Sequence, residues 1–233
     1  MGLFVLMRCL SLQSLPLRRV GQVVLAALWQ LGVLAAGPLQ AGPPEPATAK
    51  DTRTVEGDAI FHRGELELQF MSGALFSLQD TSRLRPNIDY APTVFRLGYM
   101  LDGLNGRGFL RGNDELMVEA LGGPIFTGPG TALGGFSLIY RRNFLSAGAR
   151  VIPYIQGGAG GIYSDAFHDR EQRALGSPFE FDLQGAAGVR FRLTPQWTFD
   201  AEFSYRHLSN ANLSDRNYGT NAIGGMMGVS YGF

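Results

Sequence analysis

From Glu65 to the C-terminus the chain alternates between apolar and polar positions with a period of two. In the first stretch Leu66, Leu68, Phe70, Ala74, Phe76 and Leu78 share one parity, against Glu65, Glu67 and Gln69. Successive side chains of a strand point to opposite faces, so this pattern predicts a strand with two unlike faces. The pattern returns near the end. Phe179, Phe181, Leu183, Ala187, Val189, Phe191 and Leu193 oppose Glu180, Asp182, Gln184, Arg190 and Arg192. After the turn Thr194-Pro195-Gln196, the odd residues Trp197, Phe199, Ala201, Phe203 and Tyr205 oppose Asp200, Glu202, Ser204 and Arg206. A last segment carries Ile223, Met227, Val229, Tyr231 and Phe233 on the odd face. Weaker alternation marks residues 92–101, 115–126 (interrupted by Gly122, Gly123 and Pro124) and 134–142, and a Gly-rich stretch over 149–163 has ambiguous faces. Eight strands are predicted, and the fold class is all-β.

Alternation alone fits a sandwich or a lipocalin-like binder, which bury the apolar face, or a transmembrane barrel, which turns it to lipid. The apolar faces run for about 8 to 10 residues, the length of a tilted membrane-crossing strand. The opposite faces mix Glu, Asp and Arg in near balance, as pairing inside a narrow lumen requires. Many small residues share that inner side, where an eight-stranded barrel has little room. The chain also ends on Phe233, with Tyr231 and Val229 at alternate positions before it, like the terminal strand of Gram-negative outer-membrane proteins. The prediction is an eight-stranded antiparallel transmembrane β-barrel of the bacterial outer membrane.

Residues 1–41 differ from the rest. They hold Arg8, Arg18 and Arg19, no acid, and an apolar run from Val20 to Ala36. That is the layout of a secretory signal peptide, cleaved after Ala41. Its removal takes away three arginines and no acid, so the mature chain is slightly acidic. The Pro-rich residues 42–63 read as a flexible lead-in, and 64–233 as the barrel. Glycine makes up 32 of 233 residues, about twice its usual share and too many for a helical bundle. The formal net charge of zero offers no basic field to nucleic acid. The single Cys9 excludes a disulfide framework or a Cys-based zinc site. No metal and no cofactor is implied.

Candidate chemistry gathers where the last two strands join, in YRHLSNANLSDRNYGTN over residues 205–221. His207 and Ser209 lie two apart and share the lipid-facing parity with Tyr205, and Asn221 has that parity at the start of the next strand. A hairpin brings the three together on the outer wall. An imidazole beside a hydroxyl can take its proton as general base, while a third group fixes the ring tautomer. Polar groups on a lipid-facing wall are costly unless used. On spacing alone, an interfacial His and Ser pointing into headgroups stays open, because H-x-S is a short motif. Other candidates read as structural. Asp215 and Arg216 read as solvated turn residues, with Arg216 within reach of a lipid phosphate. His168 sits in an exposed loop, His62 carries no partner signal, and Glu202 and Arg206 read as a lumen pair. Glu180 and Asp182 point inward with Arg190 and Arg192, as lumen packing rather than glycosidase acids. The runs Gly157–Gly161 and Gly134–Gly135 lack the Lys-Ser/Thr and following helix of a phosphate loop.

The wider string, H-L-S-N-A followed by N-Y-G-T-N eight residues after the Ser, resembles the lipid A 3-O-deacylase (PagL-type acyloxyacyl hydrolase) family over about residues 199–233. The resemblance implies an eight-stranded outer-membrane barrel that hydrolyses the ester-linked 3-O acyl chain of lipid A on its lipid-facing wall. It implies Ser209 as nucleophile and His207 as general base. Asn210 and the backbone N–H groups of Ala211 and Asn212 would hold the oxyanion, and Asn217 and Gly219 would shape the loop. The departure is Asn221, where the best-known members carry Glu. Implied partners are lipid A (lipopolysaccharide) and outer-membrane lipids, and a homodimer is left open. The competing reading is a catalytically idle structural or adhesion barrel. One test follows from the pattern itself: deleting Phe233 should lower the fraction of heat-modifiable protein in the outer membrane, and normal insertion would make the terminal aromatic incidental.

Overall fold

The computed structural model describes residues 61–78, 84–145 and 148–233. The expected signal peptide and most of the lead-in lie outside the described residues. Nine strands follow in chain order: β1 (Leu66–Ser77), β2 (Asp89–Tyr90), β3 (Thr93–Met100), β4 (Gly112–Thr127), β5 (Ala132–Phe144), β6 (Val151–Ser164), β7 (Phe179–Arg192), β8 (Trp197–Ser209) and β9 (Thr220–Gly232). The eight long strands form a closed antiparallel barrel, with β9 returning to pair with β1. At that seam Leu68 faces Tyr231 and Phe70 faces Val229. The seam ends in a reciprocal pair: Leu66 N–H donates to Phe233 O at 3.2 Å and Phe233 N–H to Leu66 O at 3.0 Å. Closure leaves no unpaired edge, which a membrane demands of any sheet.

The third segment is one unbroken strand through Gly122, Gly123 and Pro124, which face Gly134, Leu133 and Ala132 of β5. The break in its alternation has a local cause. The chain just past the two-residue β2 crosses β4 here, and Ala91 N–H donates to Pro124 O at 3.0 Å. A Cβ on Gly123 would meet Ala91 O at 2.2 Å, so a side chain would push that crossing away.

Apolar residues such as Leu68, Phe95, Val118, Phe136, Leu183 and Phe203 face outward and are exposed. The charged parity faces in, as the alternation predicts. Arg96, Arg141, Arg190 and Arg206 stand in the lumen, all at most 1% exposed. Arg96 pairs with Glu119 at 2.8 Å and Glu202 at 2.7 Å. Arg206 reaches Glu119 and Asp182, both at 2.6 Å, and Arg190 reaches Glu67 at 2.6 Å. Glu202 and Arg206 therefore do not pair with each other as expected. Four residues along one strand is about 13 Å, and each finds its partner across the lumen instead. Tyr154 lies beneath Arg141, whose guanidinium carbon is 4.4 Å from the ring centroid, and donates to Glu202 at 2.9 Å. Gly188 leaves the space for that ring, since a Cβ there would meet Tyr154 Cζ at 2.4 Å.

Not all of the interior is polar. Met71, Leu75, Val94, Leu121, Ile162 and Leu208, with Leu175 from the β6–β7 loop, belong to one buried apolar cluster. A smaller cluster of Phe61, Met100, Leu145 and Ile152 lies at the end that carries the start of β1. The charged layer thus lies between two apolar caps, and the barrel is a packed body rather than a pore. Because Arg96 binds two carboxylates and Gln69 (2.9 Å), Arg96→Ala leaves both carboxylates short of a partner in a dry interior. The expected cost is about 3–5 kcal/mol, read as a lowered midpoint for loss of the compact gel form on heating or in urea.

Candidate active site

Strand β8 sends alternate side chains to opposite sides at its outer end. His207 and Ser209 point outward and are half-buried, while Leu208 between them is 1% exposed within the apolar cluster. Leu208 anchors the backbone that carries both polar groups. In the β8–β9 register His207 stands directly opposite Asn221. His207 Nδ1 lies 2.7 Å from Asn221 Oδ1, and His207 Nε2 lies 3.0 Å from Ser209 Oγ. The hydroxyl, the ring and the amide thus form one hydrogen-bonded line on the outer wall. Across β7, His207 faces Leu183 and Ser209 faces Phe181, both exposed apolar side chains.

The amide oxygen of Asn221 only accepts, so the ring nitrogen facing it carries the proton. That leaves the Nε2 lone pair directed at the Ser209 hydroxyl, the arrangement in which His207 can withdraw its proton. Tyr205, two residues before His207 on the same face, also donates to Asn221 Oδ1, at 2.8 Å. Sequence reading noted Tyr205 only as a lipid-facing residue. The available signal was its parity and its position one pair away from Asn221.

Beyond Ser209 the chain turns sharply. Ala211 and Asn212 have φ of 52° and 66°, and Leu213 N–H donates to Asn210 O at 2.9 Å. Two successive positive φ values are the signature of a type I′ turn. For Ala that conformation costs about 1–2 kcal/mol, so the surroundings must hold it. Asn217 does so: its Oδ1 accepts from Asn210 N–H at 2.7 Å and its Nδ2 donates to Asn212 Oδ1 at 2.9 Å. Gly219, with φ of 67°, lies against the ring, and a Cβ there would stand 3.1 Å from His207 Cε1.

Two expectations change. The Asn210 side chain does not join Ser209 on the outer face. It is buried, with Nδ2 donating to Arg216 O at 3.0 Å and reaching Glu180 at 3.4 Å. Its position one residue past an outward Ser sends it inward, so it holds the loop instead of meeting an oxyanion. Ala211 and Asn212 are exposed at the turn. Arg216 is not a solvated turn residue either. Its guanidinium donates to the backbone oxygens of Asp169 (2.6 Å), Phe167 (2.8 Å), Gln172 (3.2 Å) and Gly176 (3.4 Å). It ties the β8–β9 loop to the β6–β7 loop through both of its terminal nitrogens. In that second loop Asp165 accepts from the Thr131 hydroxyl at 2.5 Å and from two backbone N–H groups, which holds its carboxyl below the usual range. His168 stacks near Phe167, with ring centroids 4.0 Å apart, and His62 N–H donates to Glu65. Among the described residues no three His, Cys, Asp or Glu side chains are grouped to hold a metal.

The model of the lipid A 3-O-deacylase (PagL) family matches residues 106–230, which include His207, Ser209 and Asn221. Comparison with curated proteins gives no significant match. Among solved structures, the outer-membrane enzyme PagL is 18% identical, with a TM-score of 0.47 over 71% of this chain and 98% of that one. Neisserial surface protein A is 16% identical, with a TM-score of 0.46 over 72% and 97%. OprG from Pseudomonas aeruginosa is 11% identical, with a TM-score of 0.38 over 75% and 98%. With the family model covering more than half of its length, this outer-membrane β-barrel belongs to the PagL family of lipid A 3-O-deacylases.

Proposed function

We propose that this chain hydrolyses the ester-linked 3-O acyl chain of lipid A, with Ser209 as nucleophile, His207 as general base and Asn221 as the group that orients the ring. The observation that carries this reading is the line Asn221–His207–Ser209, at 2.7 and 3.0 Å, on a lipid-facing wall. Ser209 Oγ attacks the ester carbonyl as its proton passes to His207 Nε2. The resulting oxyanion would be held by the backbone N–H groups of Ala211 and Asn212. Collapse breaks the bond to the sugar oxygen, which leaves with the proton from Nε2. Water, deprotonated by the same nitrogen, then releases the fatty acid and restores Ser209. The β8–β9 loop lies with the long β6–β7 loop at the barrel end opposite the Leu66–Phe233 pair, and the longer loops of such barrels face outward. The ester is thus approached from the outer leaflet, where lipid A resides, with its acyl chain along the wall of Phe181 and Leu183.

Asn221 lacks the charge that a carboxylate would set against the imidazolium. An amide in a triad loses about 10⁴ in rate when it holds the wrong tautomer, so the orientation of its oxygen matters more here than its charge. In a host without such an enzyme, expression of the chain should remove one hydroxyacyl group from lipid A, read by mass spectrometry. Unchanged lipid A from a folded barrel would favour the idle-barrel reading. Ser209→Ala and His207→Ala should each lower turnover by several orders of magnitude and the double variant little more, since the pair acts as a unit. Asn221→Ala should cost less than either, and Asn221→Glu should keep or raise activity.

Gly219→Ala tests the geometry from the other side. It adds a methyl 3.1 Å from His207 Cε1 at a position of positive φ. Turnover should fall by about tenfold or more, since roughly 1.4 kcal/mol of misorientation is enough, while the barrel keeps its heat-modifiable migration. Full activity of this variant would mean that the ring tolerates displacement.

A further inference from the structure

The phenol of Tyr205 and the imidazole of His207 converge on a single atom, Asn221 Oδ1, at 2.8 and 2.7 Å. This is the one side-chain hydrogen bond that Tyr205 makes among the described residues. We propose that Tyr205 is a positioning residue that keeps the oxygen of the Asn221 amide, rather than its nitrogen, turned toward His207. It thereby selects the ring tautomer able to accept the Ser209 proton. The inference rests on the acyl-hydrolase reading of His207 and Ser209.

The need for such a residue follows from what distinguishes an amide from a carboxylate. Both oxygens of a carboxylate accept, so either orientation serves. An amide turned by half a revolution presents N–H groups of nearly the same shape. In that reversed state Nδ2 would donate to both the phenol oxygen and His207 Nδ1. The ring proton would then move to Nε2, which would donate to Ser209 and could not accept from it. His207 itself does not distinguish the two states, because its ring can donate or accept at Nδ1 by changing tautomer. Ser209 does not either, because its hydroxyl turns to suit.

Tyr205 does distinguish them. In the observed state its proton lies on Asn221 Oδ1. In the reversed state its oxygen accepts and its proton is left without an acceptor. Tyr205 faces Gly185 and Ile223 in the neighbouring strands and lies on the lipid side with Phe203. An unpaired donor on such an apolar wall is costly. The phenol therefore makes the amide behave as an acceptor, supplying the property that the Glu of better-known relatives would have without help.

The test combines kinetics with a direct reading of the tautomer in the full-length barrel, folded in detergent and supplied with lipid A in mixed micelles. Tyr205→Phe should lower kcat about tenfold, equivalent to about 1.4 kcal/mol of lost preference, with KM unchanged. The ¹⁵N shifts of His207, assigned by their loss in His207→Ala, should move from the Nδ1–H toward the Nε2–H tautomer. In an Asn221→Asp background the same Tyr205→Phe change should alter kcat less than about twofold, since a carboxylate cannot be reversed into a donor. Retained wild-type kcat and tautomer in Tyr205→Phe would overturn the inference. So would an equal loss in both backgrounds without a change of tautomer, which is the result expected of simple packing. Wild-type protein that leaves lipid A intact would count against the acyl-hydrolase reading alone. The ¹⁵N spectra of the wild-type and Tyr205→Phe proteins would still decide the role of Tyr205.

Discussion

The pairing of buried arginines with carboxylates inside the barrel is the interaction on which the rest of the structure depends. Arg96, Arg141, Arg190 and Arg206 come from four different strands, and their partners from β1, β4, β7 and β8. Each pair therefore reaches across the lumen or between neighbouring strands, and together they hold the strands in one register. Such ions are stable in a dry space only if nearly every hydrogen-bonding direction is met. Gln69, Gln156, Tyr154 and Ser204 supply further bonds to these same ions. With the charges paired inside, the outer wall is free to be apolar, as lipid requires.

That division of labour explains why the candidate chemistry lies outside. An interior filled by side chains has no room for a substrate, and the two apolar caps close it at either end of the charged layer. The outer wall already touches acyl chains. A hydroxyl, an imidazole and an amide placed there, near the rim, lie where lipid headgroups and chains join. The same placement carries a constraint. On an apolar wall each polar group must find its partner among the others, and Tyr205, Asn221, His207 and Ser209 form a chain in which they do.

The rim is built to hold this chain still. Leu208 fixes the strand from within, Asn217 braces a turn in which Ala211 adopts a costly left-handed conformation, and Gly219 gives the imidazole its room. Arg216 ties the same loop to the segment between β6 and β7 through four backbone oxygens. Backbone strain beside the Ser209 hydroxyl is tolerated where the surroundings over-determine it, and the asparagine and arginine contacts are what over-determine it here.

The strands, their faces and the inversion of apolar and polar sides could be read from the sequence, because side-chain direction in a strand follows from parity alone. The meeting of His207, Ser209 and Asn221 was legible for the same reason: one parity, two adjacent strands and a single connection. Parity says nothing about which residues lie at the same height across a lumen. Glu202 and Arg206 looked like partners along a strand, yet each found its own partner on other strands. Asn210 shared a motif with Ser209 but faced the other way, and Arg216 looked like a surface turn until two loops distant in sequence came together around it. Tyr205 was visible only as a lipid-facing aromatic, because the role proposed for it depends on the way its phenol and the His207 imidazole converge on one oxygen of Asn221. Local alternation determined the faces, and strand register together with loop packing, which are properties of the closed barrel, decided the contacts.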